Sequence, residues 1–211
     1  MDPWPEIHRQ RIAVADLLDG LRDDQWDEPS LCAGWTVRDV AGHLTLQQLG
    51  VRDLGDMLRH WKGGMNPTIQ DAARRRATAW TPAQLVADIR ETAALRRRNL
   101  GVTPMETLTD LLVHGQDIAV PLGVDHPVPS EAAAAATHRT LTMRFFPPPL
   151  PSVRLMAGIR LTATDMSWSF GDGPEARGPI AALLLIATGR FVALSQLTGP
   201  GAEILAARRP A

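Results

Sequence analysis

The chain contains one cysteine, one lysine and no apolar run long enough to cross a bilayer. A single Cys32 cannot close an internal disulfide and offers none of the paired spacings of a zinc ribbon, which fits a reducing cytoplasm. It precedes a helix cap by several residues with no activating base identifiable nearby, so it reads as a small buried apolar residue. The longest apolar run, IAALLLIA at 180–187, falls far short of the roughly 20 residues a membrane helix needs. The N-terminal MDPWPEIHRQ is polar and proline-bearing, so a soluble, unexported, cytoplasmic protein is expected. Neither charge is in surplus, with Lys+Arg 22 against Asp+Glu 23, which removes the global field that nucleic acid or an anionic membrane would need. The runs RRR at 74–76 and 96–98 read as solvated helix faces. A P-loop or dinucleotide fingerprint is absent, as is a Ser-His-Asp order with a nucleophile elbow.

What is present is an ordinary globular composition, 45% apolar over 211 residues, enough for one generous domain or two small ones. Ile7, Ile12, Val14, Leu17, Leu18 and Leu21 recur at mostly three- and four-residue spacings and predict a first helix over 6–22. DDQWDEPSLCAGW then reads as an ordered loop with Trp26, Leu31 and Trp35 turned inward. Thr36, with Asp39 three residues on, is a capping box for a second helix running to about Trp61, where KGGMNP breaks it. A third is predicted from Pro82 to about Leu100 behind the cap Thr81, carrying Leu85, Ile89 and Leu95. A fourth runs from about Pro104 to the Pro121–Gly123 corner.

EAAAAATHRTLTMRF supplies a fifth helix, and PPPLP at 147–151 reads as a stiff linker. Beyond it, IRLTATDMSWSF is rich in β-branched and aromatic residues and predicts strands, GDGPEARGP reads as turns, and Pro179 opens a short buried helix ending at Gly189. The expected architecture is mainly α: an antiparallel four-helix bundle over 1–146, a proline-rich linker at 147–151 and a small α+β C-terminal subdomain over 152–211.

Chemistry gathers on DLLVHGQDIAVPLG at 110–123. Asp110 and His114, spaced i and i+4, project from one helical face, and Thr107 and Asp117 extend it. Leu108, Leu111, Leu112 and Ile118 occupy much of the remaining circumference, and a charged Asp in such surroundings is costly unless paired or bound to a metal. Spacing alone favours the plainer reading, a solvent-facing pair worth a few tenths of a kcal/mol. His43, about two turns into the second helix, borders the stripe of Val37, Val40, Leu44, Val51 and Leu54. Taken alone it reads as a hydrogen-bonded core histidine. Two histidines and a carboxylate are nevertheless the donors of a catalytic divalent-metal site, which bundles build from facing helices. His8, His60, His126 and His138 share no ligand spacing and read as surface or loop residues.

LCAGWTVRDVAGHL at 31–44 and DLLVHGQDIAVPLG at 110–123 resemble the two signatures of the mycothiol-dependent maleylpyruvate isomerase family, within the DinB-like metal-binding four-helix superfamily. TATDMSWSFGDGPEARGP and LLLIATGR resemble the small C-terminal region of many members, so the likeness spans nearly the whole chain. The resemblance implies a DinB-like bundle with a divalent metal held by His43, Asp110 and His114. It also implies mycothiol as thiol cosubstrate and a small-molecule electrophile as the other partner. One departure is visible: the isomerases themselves use Glu at the acid position, where this chain has the shorter Asp110. Either the helices close up or a water intervenes.

Zinc is the preferred ion for two imidazoles and one carboxylate. It would lower the pKa of a bound thiol for attack, either to isomerise a conjugated double bond or to transfer the thiol. Asp117, one turn past His114, would orient that imidazole or pair with an arginine, and Trp35 would be a core anchor. The rival readings are a metal-dependent hydrolase that activates water and a non-catalytic metal-binding module. No nucleic-acid or membrane partner is expected, and a monomer or homodimer would serve.

Overall fold

The computed structural model describes residues 2–48, 55, 59–99, 101–144 and 150–209. They fall into two compact units, Met1–His126 and Pro127–Ala211. In the first, α1 (Trp4–Asp19) buries Ile7, Val14 and Leu18, the face expected from their spacing. A 3-10 turn at Asp23–Asp27 buries Trp26, whereas Leu31 and Trp35 are only half-buried. The capping box is formed in both directions: Asp39 N–H donates to Thr36 Oγ1 at 3.2 Å, and Thr36 N–H donates to Asp39 Oδ2 at 3.1 Å. It opens α2 (Val37–Thr45), which passes into a 3-10 turn at Leu46–Gln48. Most of the predicted continuation to Trp61, including Val51 and Leu54, lies outside the described residues.

A helix that the sequence reading passed over follows, α3 (Met65–Ala79). Its buried residues are Thr68, Ala73 and Ala77, too small to register as an apolar stripe, and they serve close approach. A Cβ on Gly42 of α2 would stand 2.6 Å from the Ala73 carbonyl oxygen and 3.1 Å from the Ala77 nitrogen. The next helix, α4, is shorter than predicted, Pro82–Glu91 instead of a run to Leu100. The buried Arg11 guanidinium takes the carbonyls of Ala93 and Leu95 just beyond its end, at 3.4 and 2.9 Å, and Leu95 is exposed. Burial lowers the Arg11 pKa to about 10.

Helix α5 (Pro104–Leu122) matches its prediction and ends at the left-handed Gly123. Leu108, Leu111, Leu112 and Ile118 are all buried. Gly115 makes room for the His126 ring, a loop residue as expected but a buried one, which burial keeps below the ordinary histidine value. Helix α2 packs on α3, α4 and α5, and α1 packs on α4 and α5.

In the second unit the alanine-rich α6 (Ser130–Thr142) packs on the apolar α8 (Ile180–Ala187). By contacts it therefore groups with the C-terminal elements, although the sequence reading set it with the bundle and drew the boundary at the proline tract. Of that tract, 147–149 lie outside the described residues, and Pro151 begins a short helix, α7 (Pro151–Leu155). The predicted strands appear as β1 (Arg160–Ala163) and β2 (Ser169–Phe170), paired antiparallel with Leu161 opposite Phe170. The segment read as turns also holds a third strand, β3 (Glu175–Gly178), which pairs parallel to β1 with Leu161 opposite Ala176. Helix α8 is buried almost all round, as its uniform apolarity requires, and α9 (Pro200–Arg208) ends the unit. No helix among the described residues is long and apolar enough to cross a membrane.

The α2–α3 contact is the tightest constraint on the helix that carries His43. Gly42→Ala is expected to cost about 1–3 kcal/mol, as overpacking does. A lowered urea midpoint would register that cost, and an unchanged midpoint would contradict the close approach.

Candidate metal centre

The loop before α2 is tied to two helices. Leu31 N–H donates to the Asp117 carbonyl of α5 at 3.0 Å, and the Arg74 guanidinium of α3 donates to the Gly34 carbonyl at 2.6 Å. These bonds fix how α2 enters the bundle, and α2 then turns His43 toward α5. There His43 Nε2 lies 3.2 Å from Asp110 Oδ2, and His114 Nε2 lies 3.2 Å from Asp110 Oδ1. The three residues thus converge, their donor atoms all within 4.8 Å of one another. Each imidazole reaches a different oxygen of the Asp110 carboxylate directly.

Two ligands held about 2.0 Å from a tetrahedral ion stand about 3.3 Å apart, so both imidazole–carboxylate separations suit a divalent cation. The remaining exposure is on the carboxylate, with 34% of the Asp110 side chain accessible against 12% for His114. Trp35 stands edge-on to His43 at 5.6 Å between centroids, and the two histidine rings are T-shaped at 4.8 Å. The buried Nδ1 of His43 has no hydrogen-bond partner.

Asp117 is fully buried, and its Oδ2 lies 2.8 Å from His114 Nδ1. Two further residues were missed from sequence. Gln47, in the 3-10 turn after α2, donates from Nε2 to Asp110 Oδ2 at 2.7 Å. It is four residues past His43, the spacing that singled out Asp110 and His114, so a signal was there. Cys32 is half-buried rather than sealed in apolar surroundings: its Sγ lies 3.1 Å from Asp117 Oδ2 and 3.6 Å from His114 Nδ1. Nothing in its local sequence could announce this, because the contact spans 85 residues.

Burial opposes charge on Asp110, but the His114 and His43 imidazoles override it and hold the carboxyl well below its ordinary value. Burial likewise opposes charge on His114, and Asp110, Asp117 and Cys32 override it and raise the imidazole well above 6.5. A carboxylate only accepts hydrogen bonds. Both shifts favour the charged pair in the metal-free protein, with His114 Nδ1 facing Asp117 Oδ2 and Nε2 facing Asp110 Oδ1. In the run at 74–76, Arg75 pairs with Asp71 and Arg76 lies 4.1 Å over the Trp80 ring, whereas the run at 96–98, expected on a helix face, is exposed beyond the end of α4.

The sequence profile of the mycothiol maleylpyruvate isomerase N-terminal domain matches residues 7–119, which include His43, Asp110, His114 and Asp117. The chain belongs to this family. No curated protein matches it in sequence. Among solved structures, a crystal structure of the mycothiol-dependent maleylpyruvate isomerase aligns with 100% of this chain and 95% of its own, at a TM-score of 0.63 and 14% identity. A histidine-to-alanine mutant of that isomerase aligns over the same shares at 0.56 and 16% identity. At such identities the likeness bears on the fold, and it extends over both units: the mainly helical architecture with a small C-terminal sheet matches the fold of that isomerase.

The pair of shifts sets a pH dependence for the metal-free protein. The contribution of His114 is fully present below 6.5 and is lost as pH rises through its raised value; that of Asp110 is present above 3.8 and is lost in acid. Chelator-treated protein is expected to lose denaturant resistance as pH rises above the ordinary histidine range. His114→Gln should remove that slope, and equal slopes in parent and variant would contradict the ion pair.

Proposed function

We propose that the chain is a mycothiol-dependent enzyme, an isomerase or thiol transferase, whose divalent ion is held by His43, Asp110 and His114. The observation that carries this reading is the convergence of two imidazole nitrogens on the two oxygens of one carboxylate, within the segment that matches the family. Zinc suits this donor set. When bound, the ion supplies Lewis acidity that favours the thiolate form of an approaching thiol.

The protein's own groups supply the rest. Asp117 accepts a hydrogen bond from His114 Nδ1–H, which would leave the Nε2 lone pair facing the site once the Nε2 proton is displaced. Gln47 holds Asp110 Oδ2, so the carboxylate cannot swing away from the two imidazoles. The accessible side of Asp110 gives the thiol and a conjugated electrophile a common approach. In an isomerase, thiolate addition to a double bond permits rotation before the thiol leaves; in a transferase, the carbon–sulfur bond stays.

Elemental analysis of protein purified without chelator or tag metal is expected to give about one equivalent of metal, lost in His43→Ala and in His114→Ala. Asp117→Asn should weaken binding about 10–100-fold, as removal of a ligand's hydrogen-bond partner does. Turnover of α,β-unsaturated acids should require mycothiol and the metal together. Metal-dependent turnover indifferent to mycothiol would point to a hydrolase, and a site that binds metal yet turns over no such acid would point to a binding module. A folded parent that takes up neither zinc nor nickel would sink the metal reading.

A further inference from the structure

We infer that Cys32 is a positioning residue for the proposed metal site, acting through Asp117 on His114. The inference rests on the reading that His43, Asp110 and His114 hold a divalent ion. Asp117 is fully buried, so its orientation is set by protein groups. One oxygen, Oδ2, meets both His114 Nδ1 at 2.8 Å and Cys32 Sγ at 3.1 Å. A carboxylate only accepts, so the ring N–H and the S–H both donate to that oxygen, and the Sγ–Nδ1 separation of 3.6 Å closes the triangle. The thiol thereby fixes the place of the oxygen that fixes the imidazole.

The loop leaves Cys32 little freedom to do otherwise. Its own N–H donates to Ser30 Oγ at 3.2 Å, its neighbour Leu31 is bonded to the Asp117 carbonyl, and Gly34 is held by Arg74. The backbone of Asp117 is thus tied to the same loop as its side chain. A residue that served only to fill space would not need a donor aimed at a buried carboxylate. Without the thiol, Oδ2 loses a donor in a place where one is costly to lose, and the carboxylate and the ring can re-aim together. Partners of a metal-binding imidazole are worth about 10–100-fold in affinity, and a group one bond further out is expected to be worth about 3–10-fold.

The experiment compares Cys32→Ala and Cys32→Ser with the parent and with His43→Ala. In metal-free, ¹⁵N-histidine-labelled protein, the His114 Nδ1–H signal is recorded; zinc affinity is measured by competition with a chromophoric chelator. Cys32→Ala should shift the His114 signal and weaken zinc about 3–10-fold, and Cys32→Ser, which keeps a donor, should recover both. An unchanged signal and affinity in Cys32→Ala would overturn the inference, as would a serine variant that behaves like the alanine one. Either result with zinc still bound by the parent and lost in His43→Ala leaves the metal reading standing. A parent that takes up no zinc fails that reading and this one with it.

Discussion

The site depends on one electrostatic constraint: a carboxylate at the rim of an apolar helix face must be compensated by partners from another helix. Asp110 sits among buried leucines of α5, and it is held ionised by His114 on its own helix and His43 on α2, each 3.2 Å from a different oxygen. Gln47 adds a third donor. This arrangement couples the chemistry of the site to the packing of α2 on α5, since a shift of either helix separates the imidazoles that make the charge tolerable. The same set of donors suits a proton on His114 or, in the proposed reading, a divalent ion in its place, and the two would then compete for one nitrogen.

That coupling explains why the supporting contacts are close and specific. Gly42 lies against Ala73 and Ala77 with no room for a methyl group, which brings α3 up to the residue beside His43. From the same helix, Arg74 reaches the loop that carries Cys32, and α5 reaches it through the Asp117 carbonyl. The loop is consequently part of the site's frame. Around His114 it completes a chain in which the thiol, the buried carboxylate and the imidazole follow one another, while the other face of the imidazole turns to Asp110.

Much of this was legible in the sequence. The capping box of Thr36 and Asp39, the i and i+4 pair Asp110 and His114, and the Pro121–Gly123 corner are local patterns, decided by residues within a few positions of one another, and each has its expected place. The family followed from two short motifs around His43 and His114. What was not legible has a common cause. Helix α3 buries alanine and threonine, so its contacts depend on closeness, which leaves no apolar period to read. Helix α4 stops where Arg11, more than 80 residues away in sequence, takes the carbonyls beyond it. The alanine-rich α6 was assigned by its neighbours in sequence, but it packs on α8, which follows the proline tract.

The sequence by itself therefore determined the helical class, the caps that start the helices, and the identity of the ionisable residues that share a face of α5. Those follow from backbone hydrogen bonding and from the 3.6-residue period, which act over short stretches. The tertiary structure decided that His43 meets the same carboxylate as His114, that Gln47 joins them, and that Cys32 donates to a buried acid instead of filling a gap. Each of these joins groups 63 to 85 residues apart. Such contacts are set by how whole helices pack, and no spacing along the chain encodes them.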